Sequence, residues 1–324
     1  MNWIKTKISE IKAKAKKIFK RQEKIDPSSS LWESCPGCSK LNTKDFLKEN
    51  DYICEACNYY FDRPPLAIVK SFGLLDEKNF ISPPENLDDD PLKFSTDLGS
   101  YKDKLAKARK KEKQWCSILG YKGIVEDLKV HLVVSNFRFL GGSWSNNEAQ
   151  YFQKIVDNAV ENKSDVFIMM LKSGGVSMFH GALGLNATMG AGIIAMQKLK
   201  KNNILTIAGG GSKLTGGVLA SIVYTSEIIV FEQNAHDITF AGKKISKNYL
   251  SAGEVMDEKF GSAEEKKATG QCDLVLERHN LKPVICTLAK IIKKKQNPAV
   301  INENTNNSTE QESREILPNT AKAI

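Results

Sequence analysis

Four cysteines in two close pairs are the first residues of this 324-residue chain that could do chemistry. Cys35 and Cys38 form one C-x2-C pair, Cys54 and Cys57 form a second, and fifteen residues lie between the pairs. This is the spacing of a four-thiolate zinc site, in which two tight turns each offer two sulfurs to one ion. Because sulfur then fills all four tetrahedral positions, the predicted Zn²⁺ is structural and leaves no position for a substrate.

A disulfide framework is the alternative for these four cysteines. Disulfides belong to oxidising compartments, whereas the sequence shows no secretory apolar region with a small-residue cleavage site. It also has no run of the roughly 18 to 20 apolar residues that a membrane span needs. We therefore expect an intracellular protein in which zinc is favoured. Cys116, Cys272 and Cys286 match no metal spacing and are expected to pack as small buried apolar side chains.

Three glycine pairs could do chemistry through backbone N–H groups. They are Gly141-Gly142, Gly174-Gly175 and Gly216-Gly217. Neither a P-loop nor a dinucleotide-binding G-x-G-x-x-G pattern surrounds them, so a phosphate cradle is not indicated. A tight turn is the alternative for any single pair. Two pairs that each follow a strand and precede a helix favour amides directed into one cleft.

Strands and helices alternate around these pairs. The spacing of apolar residues predicts a charged helix from Tyr101, a hairpin over 121–142 and an amphipathic helix over 147–162. Further strands are predicted at 165–171, 204–211, 227–232 and 273–279, with helices that contain 189–199 and 283–296. This order implies an α/β core with parallel pairings and right-handed crossovers. The last two glycine pairs fall just past strands, where open α/β sheets place their ligand sites.

Positive charge is concentrated at the N-terminus. Residues 1–22 carry +7 of the net charge of +9, so the remainder of the chain carries only +2. Isoleucines at helical spacing predict a basic amphipathic helix that docks on the body or on a partner, with membrane-surface contact or a transit peptide as alternatives. The near-neutral body disfavours a nucleic-acid-binding protein. Residues 73–100 are expected to form an irregular connector, and the polar stretch 297–324 a disordered tail.

The order of motifs resembles a known family. "MNWI", the four-cysteine segment, "YKDKL", "FRFLGGS", "SGGVSM", "TGGVLAS" and "FAG" follow one another as in the β subunit of the bacterial and plastid acetyl-CoA carboxylase carboxyltransferase. The resemblance implies a crotonase-like spiral of ββα units joined to an N-terminal four-cysteine zinc ribbon. We expect an arm and linker at 1–30, the ribbon at 31–65, the carboxyltransferase domain at 66–296 and the tail at 297–324.

The resemblance also implies a reaction. In that family, carboxybiotin on a separate carrier protein gives its carboxyl group to acetyl-CoA, forming malonyl-CoA for fatty acid synthesis. Negative charge develops on the thioester oxygen and on the biotin urea, and backbone N–H groups can stabilise both. By resemblance, the donors beside the acyl-CoA are Gly174, Gly175, Gly216 and Gly217. The biotin anion itself is the expected base.

The same resemblance implies partners and a location. The chain is expected to need the carboxyltransferase α subunit, which builds the biotin side of the site, in an α2β2 complex. Biotin carboxyl carrier protein and biotin carboxylase are the further partners. The expected location is the cytoplasm, or the stroma of a plastid.

Departures from the family pattern are grouped near the expected cleft. Val176 to His180 read VSMFH where the family normally has Ala-Arg-Met-Gln-Glu, and 212–215 read SKLT in place of Asp-Pro-Thr-Met. "FAGKK" replaces "FAGPR", and "KEKQWC" replaces the usual residues after the helix from Tyr101. A catalytically impaired paralogue with an assembly or regulatory role is therefore an alternative, and a zinc-ribbon nucleic-acid-binding protein a weaker one. His180 is expected to be structural or solvated and not a general base.

Overall fold

The computed structural model describes residues 31–296, except 86, 98, 243–245, 247 and 249–255. The predicted basic arm at 1–30, the predicted tail at 297–324 and the two lysines of "FAGKK" lie outside the described residues. The chain divides into two compact units between Arg63 and Pro64. Within the described ranges, no helix has both the length and the apolar character to cross a membrane.

The first unit is a small hairpin followed by one short helix. Strands β1 (Trp32–Ser34) and β2 (Leu41–Thr43) pair antiparallel, and helix α1 (Lys44–Glu49) follows directly. The Thr43 hydroxyl caps α1 by accepting a hydrogen bond from the Phe46 N–H at 3.1 Å. A core this small cannot supply much folding energy through burial alone, so a further source of stability is needed.

The second unit is built around one mixed sheet. Its elements in chain order are α2 (Pro65–Ser71), β3 (Phe80–Ile81), β4 (Ser95–Thr96), β5 (Gly99–Ser100), α3 (Tyr101–Glu112), β6 (Ile118–Val125), β7 (Leu128–Ser135), α4 (Asn146–Glu161), β8 (Val166–Met170), α5 (Gly181–Lys201), β9 (Leu205–Gly210), β10 (Leu214–Thr215), α6 (Gly216–Val218), β11 (Ile228–Glu232), β12 (Ile238–Thr239), α7 (Ala263–Ala268), β13 (Leu274–Leu276) and α8 (Leu281–Gln296). The large sheet has the order β13-β11-β9-β8-β7-β6-β3. Within this sheet, β7, β8, β9, β11 and β13 run parallel to one another, whereas β6 and β3 are antiparallel to their neighbours.

Both faces of the parallel strands are buried, as the alternation along β8 shows. Phe167 and Met169 contribute to a core with α4 and α5, while Val166, Ile168 and Met170 point into a second core with α2 and α8. Successive side chains of a strand point to opposite faces, so an uninterrupted apolar run satisfies both layers.

Helix α4 begins at a reciprocal cap. The Ser145 hydroxyl accepts from the Asn147 N–H, and the Glu148 carboxylate accepts from the Ser145 N–H at 2.8 Å. Glu148 is buried, and its second oxygen accepts from the Ser117 N–H at 2.8 Å. One carboxylate therefore joins the start of α4 to the start of β6.

The predicted hairpin, the helices from Tyr101 and over 147–162, and the parallel strands are confirmed. Cys116, Cys272 and Cys286 are buried, as expected. The connector at 73–100 is not wholly irregular, because β3 adds an edge strand to the sheet through pairs with Tyr121 and Gly120. A two-residue strand is too short to leave a detectable alternation in the sequence.

Two glycines of α5 should respond oppositely to the same substitution. A β-carbon at Gly192 would lie 2.1 Å from the Ser221 carbonyl oxygen, whereas one at Gly190 would meet no atom within 4 Å. Gly192→Ala should lower the free energy of unfolding by about 1–3 kcal/mol. Gly190→Ala should raise it by about 0.5–1 kcal/mol through helix propensity. Urea unfolding of both variants checks the packing of α5, and equal effects would contradict it.

Candidate active site and metal centre

The three glycine pairs meet beyond the ends of β8 and β9. The segment after β8 pairs with the segment after β9, since the Ser173 N–H donates to the Lys213 carbonyl at 2.8 Å and the Thr215 N–H donates to the Ser173 carbonyl at 2.9 Å. On its other edge, the Gly174 N–H donates to the Gly141 carbonyl at 2.8 Å. Because β8 and β9 are adjacent and parallel, the sheet delivers both segments to one edge.

Gly175 and Gly216 are in direct backbone contact. A β-carbon at Gly216 would lie 3.1 Å from the Gly175 α-carbon, and one at Gly175 would lie 3.4 Å from the Gly216 α-carbon. Both residues also have positive φ, at 102° and 65°. Only glycine combines this φ with so close an approach, so the pairs are more than simple turns.

Ser173 anchors the segment after β8 that contains Gly174 and Gly175, which is called the first segment below. Its side chain is fully buried, and its hydroxyl donates to the Gly142 carbonyl at 2.7 Å and accepts from the Gly175 N–H at 3.0 Å. A single hydroxyl thus joins two of the three glycine pairs.

Two N–H groups beside the contact between Gly175 and Gly216 have no acceptor in the described part of the chain. Gly174, Gly175 and Gly216 already donate to the Gly141 carbonyl, the Ser173 hydroxyl and the Phe240 carbonyl. Within the described part of the chain, no acceptor bonds the N–H of Val176 or of Gly217. The oxyanion role predicted for the four glycines stays a prediction. Sequence reasoning did not identify Val176 as a donor, although it directly follows Gly175.

Val176 continues the first segment against Trp144. The Trp144 N–H donates to the Gly175 carbonyl at 3.0 Å, and the Ser177 N–H donates to the Trp144 carbonyl at 2.7 Å. This parallel bridge directs the N–H of Val176 away from Trp144. The available N–H of Gly217 lies in the first turn of α6, where helix amides have no partner within the helix.

His180 is buried in the second unit. Its side chain is fully buried, its Nδ1 lies 3.5 Å from the Asn146 N–H, and its ring meets the Tyr101 ring edge-on at 5.3 Å. Burial raises the pKa of the Tyr101 hydroxyl, with a further contribution from the Glu148 carboxylate. His180 is therefore packed inside the unit and is not solvated, while its structural role stays a prediction.

The four predicted cysteine ligands form one cluster in the first unit. All four sulfur atoms lie within 4.8 Å of one another, and the Cys35 to Cys57 and Cys38 to Cys54 sulfur distances are 3.6 and 3.8 Å. Sulfurs at the corners of a tetrahedral zinc site, each 2.3 Å from the ion, are separated by about 3.8 Å. The donor set therefore fits one tetrahedral ion that prefers thiolates.

Outer contacts hold two of these sulfurs in place. The Gly37 N–H points at the Cys35 sulfur at 3.4 Å, and the Asn42 side-chain amide points at the Cys54 sulfur at 3.7 Å. Donors of this kind orient the ligands of a metal site.

The chain is similar in sequence to known carboxyl transferases. A family model described as "Carboxyl transferase domain" matches residues 96–323. A protein of Pelagibacter ubique named acetyl-coenzyme A carboxylase carboxyl transferase subunit beta is 32% identical over 98% of this chain and 98% of its own length. A protein of the same name from Rhizobium leguminosarum is 30% identical over 91% of this chain and 94% of its own.

Solved structures bear on the fold alone. Transcarboxylase 12S is 19% identical with a TM-score of 0.51, covering 71% of this chain and 41% of that one. A Pseudomonas malonate decarboxylase hetero-tetramer is 16% identical with a TM-score of 0.50, covering 71% and 82%.

The sheet, the converging glycine segments and the matched domain define a crotonase-like carboxyl transferase with an N-terminal four-cysteine unit. This confirms the predicted fold class. More narrowly, the chain belongs to the family of the acetyl-coenzyme A carboxylase carboxyl transferase subunit beta. The family resemblance is therefore also confirmed.

Ser173→Ala should destabilise the second unit. The substitution leaves the Gly175 N–H and the Gly142 carbonyl without their shared partner, which costs about 1–3 kcal/mol for buried groups. Ser177→Ala is the matched control, since no hydrogen bond of its hydroxyl occurs among the described residues, and it should change stability by less than about 0.5 kcal/mol. Urea unfolding measures both, and equal losses would contradict the bridging role of Ser173.

Proposed function

We propose that this chain is the acyl-CoA half of a carboxyltransferase that moves a carboxyl group from carboxybiotin to acetyl-CoA. The observation that carries this proposal is the pair of available N–H groups on Val176 and Gly217, which lie on the two segments that meet at Gly175 and Gly216. Such a pair suits an oxygen that gains negative charge during acyl chemistry.

The proposed step needs no ionisable side chain from this chain. A C–H bond of the acetyl methyl group breaks, a C–C bond to the carboxyl carbon forms, and the proton goes to the biotin nitrogen that releases the carboxyl group. Val176 and Gly217 stabilise the thioester oxygen while it has enolate character, at about 3 kcal/mol for a well-placed donor. The carboxybiotin is a co-substrate carried by a separate protein.

The proposal distinguishes roles among the predicted glycines. Gly217 supplies a donor, whereas Gly174, Gly175 and Gly216 would have to give up internal hydrogen bonds to do so. Their role is to let the two backbones approach without side chains between them. Val176 joins Gly217 as the second donor.

An exposed apolar face on α5 supports a partner subunit. Five large apolar side chains of this helix are between 43% and 56% exposed, namely Leu183, Leu185, Met189, Ile193 and Ile194. Met178 and Phe240, near the glycine segments, are 85% and 74% exposed. Exposed apolar surface of this kind marks an interface. We assign it to the carboxyltransferase α subunit, in an α2β2 complex that works with biotin carboxyl carrier protein and biotin carboxylase.

The four-cysteine cluster is proposed to hold one structural Zn²⁺. Cys35, Cys38, Cys54 and Cys57 would bind it as thiolates, and the ion would supply the folding energy that the small first unit lacks. The cytoplasm, or a plastid stroma, is the proposed location, where a reducing environment keeps the thiols available.

Turnover by the assembled complex tests the proposed reaction. Co-expression with the α subunit of the same genome should give carboxybiotin-dependent formation of malonyl-CoA. Gly216→Val should abolish it, because a side chain there meets the Gly175 backbone at a positive φ. The metal content of that variant should stay at the wild-type level. A complex that assembles but forms no malonyl-CoA would defeat the proposal.

Zinc content tests the metal centre. Cys54→Ser should lower the zinc measured by atomic emission from one ion per chain to well below one, with loss of structure in the first unit. Cys272→Ser, which changes a buried cysteine outside the cluster, should keep one ion. Stoichiometric zinc in the Cys54 variant would exclude the four-thiolate site.

Assembly tests the apolar face. Ile193→Asp should weaken association with the α subunit by at least about tenfold, since a charge at a buried interface costs more than 1.4 kcal/mol. Ile124→Asp, on β6, places a charge on a side chain that is 65% exposed and outside this face, and it should leave association unchanged. Sedimentation of mixed subunits measures both, and normal assembly of the Ile193 variant would place the interface elsewhere.

A further inference from the structure

We propose that Asp89, in the connector between β3 and β4, is a positioning residue for the N–H group of Val176. Its carboxylate acts through other residues, because it fixes two parts of the chain that flank Val176. This inference rests on the proposed function, in which Val176 is one of the two donors to the thioester oxygen.

Asp89 joins the connector to two helices. Its two carboxylate oxygens accept from Nη1 and Nη2 of Arg109 in α3, both at 2.6 Å. One of these oxygens also accepts from the side-chain amide of Asn147, in the first turn of α4, at 2.9 Å. The ion pair is partly buried, since the Asp89 and Arg109 side chains are 31% and 18% exposed. A bidentate pair of this kind fixes orientation as well as distance.

Both partners of Asp89 are themselves held in place. Asn147 is buried, and its bond to Asp89 is the only hydrogen bond of its side chain within the described part of the chain. The Arg109 guanidinium lies over the Trp115 ring at 3.7 Å, and its Nε donates to the Trp115 carbonyl at 2.9 Å. Trp115 belongs to "KEKQWC", one of the stretches that depart from the family pattern.

The start of α4 connects Asp89 to one side of Val176. Asn147 lies three residues after Trp144. The Trp144 backbone bonds on both sides of Val176, through the Gly175 carbonyl at 3.0 Å and the Ser177 N–H at 2.7 Å. The position of Trp144 therefore sets the direction of the Val176 N–H, and the bond from Asn147 to Asp89 fixes the helix turn that follows Trp144.

The connector itself packs on the residues that follow Val176. The Leu92 Cδ1 lies 3.5 Å from the β-carbon position at Gly181, where α5 begins. The Phe94 ring meets the Phe179 ring edge-on at a centroid distance of 5.3 Å. The connector thus covers the short segment that leads from Val176 to α5.

Both connections depend on the Asp89 carboxylate. Without its charge, the start of α4 and the connector are free to shift relative to Val176. A displacement of about 1 Å in a reacting geometry costs up to about 100-fold in rate. Because an oxyanion donor acts mainly in the transition state, this shift should lower kcat and leave KM nearly unchanged.

The experiment is steady-state kinetics of the complex of this chain and its α subunit, with kcat expressed per assembled complex measured by sedimentation. Asp89→Asn should lower kcat about 10- to 100-fold. The KM for acetyl-CoA should stay within about twofold of wild type. Arg109→Gln should have the same effect, and it decides the question if Asp89→Asn fails to assemble. The double variant should lose at most about twofold more than the larger single loss, since both changes break one ion pair.

Glu126→Gln is the matched control. It breaks the ion pair between Glu126 and Lys290, with the Nζ to Oε2 distance of 3.2 Å. Glu126 lies in the turn before β7, and β7 runs parallel to β8, so this pair is at the end of the sheet opposite the glycine pairs. Both kinetic constants of this variant should equal those of wild type.

Hydrogen exchange gives a second readout that does not need turnover. Residues 174–181 include the N–H groups that bond to the Gly141 and Trp144 carbonyls. These bonds should open more often in Asp89→Asn, so exchange of the peptide 174–181, followed by mass spectrometry, should be at least about threefold faster. Glu126→Gln should leave it at the wild-type rate.

Each outcome decides the inference. A lower kcat with unchanged KM and faster exchange at 174–181 supports it. A normal kcat in Asp89→Asn overturns it, as does a change confined to KM, a wild-type exchange rate at 174–181, or an equal loss of kcat in Glu126→Gln. If the wild-type complex forms malonyl-CoA, the proposed function survives any of these failures. If the wild-type complex has no turnover, the inference and the proposed function fail together.

Discussion

The contact between the backbones of Gly175 and Gly216 is the constraint on which the rest of the site depends. Two chain segments can approach to this distance only where neither carries a side chain, and both glycines also have positive φ. The contact brings the segment of Val176 beside the helix turn of Gly217. It thereby places two available N–H groups on neighbouring backbones with no ionisable group between them.

The sheet and its two cores hold this contact in place. Adjacent parallel strands β8 and β9 deliver the two segments to the same edge, and Ser173 ties the first segment to Gly142. Burial of β8 against both cores anchors that strand in the sheet. Rigid elements of this kind allow backbone donors to be oriented before a substrate arrives.

Much of the fold was predictable because its main helices and strands are long enough to show a clear hydrophobic period in the sequence. The helix expected at 147–162 is α4, and the hairpin expected at 121–142 supplies β6 and β7, with Glu126 and Asp127 in the positive-φ turn between them. The cysteine cluster was predictable from spacing alone. The choice of donors was not, because it depends on which N–H groups the tertiary structure already uses. The bonds from Gly174 to Gly141 and from Gly216 to Phe240 join residues far apart in the chain.

The departures from the family pattern alter side chains around the site more than its backbone. The Phe179 ring stacks on the Tyr101 ring at a centroid distance of 4.8 Å. Phe94 and the Lys104 ammonium also contact the Phe179 ring, and the His180 ring meets the Tyr101 ring edge-on. Phe179 and His180, two of the residues that depart from the family pattern, thus belong to one aromatic cluster with Tyr101. The backbone from Ser173 to Ser177 still forms hydrogen bonds with the backbones of Thr215 and Trp144.

The most direct measurement is a structure of the assembled complex with malonyl-CoA bound. The account predicts that the thioester oxygen lies 2.7–3.1 Å from the backbone nitrogens of both Val176 and Gly217, the range of about 3 Å expected of oxyanion donors. It also predicts that Gly174, Gly175 and Gly216 keep their internal hydrogen bonds. An oxygen bound by those three glycines, or one that contacts neither Val176 nor Gly217, would contradict it.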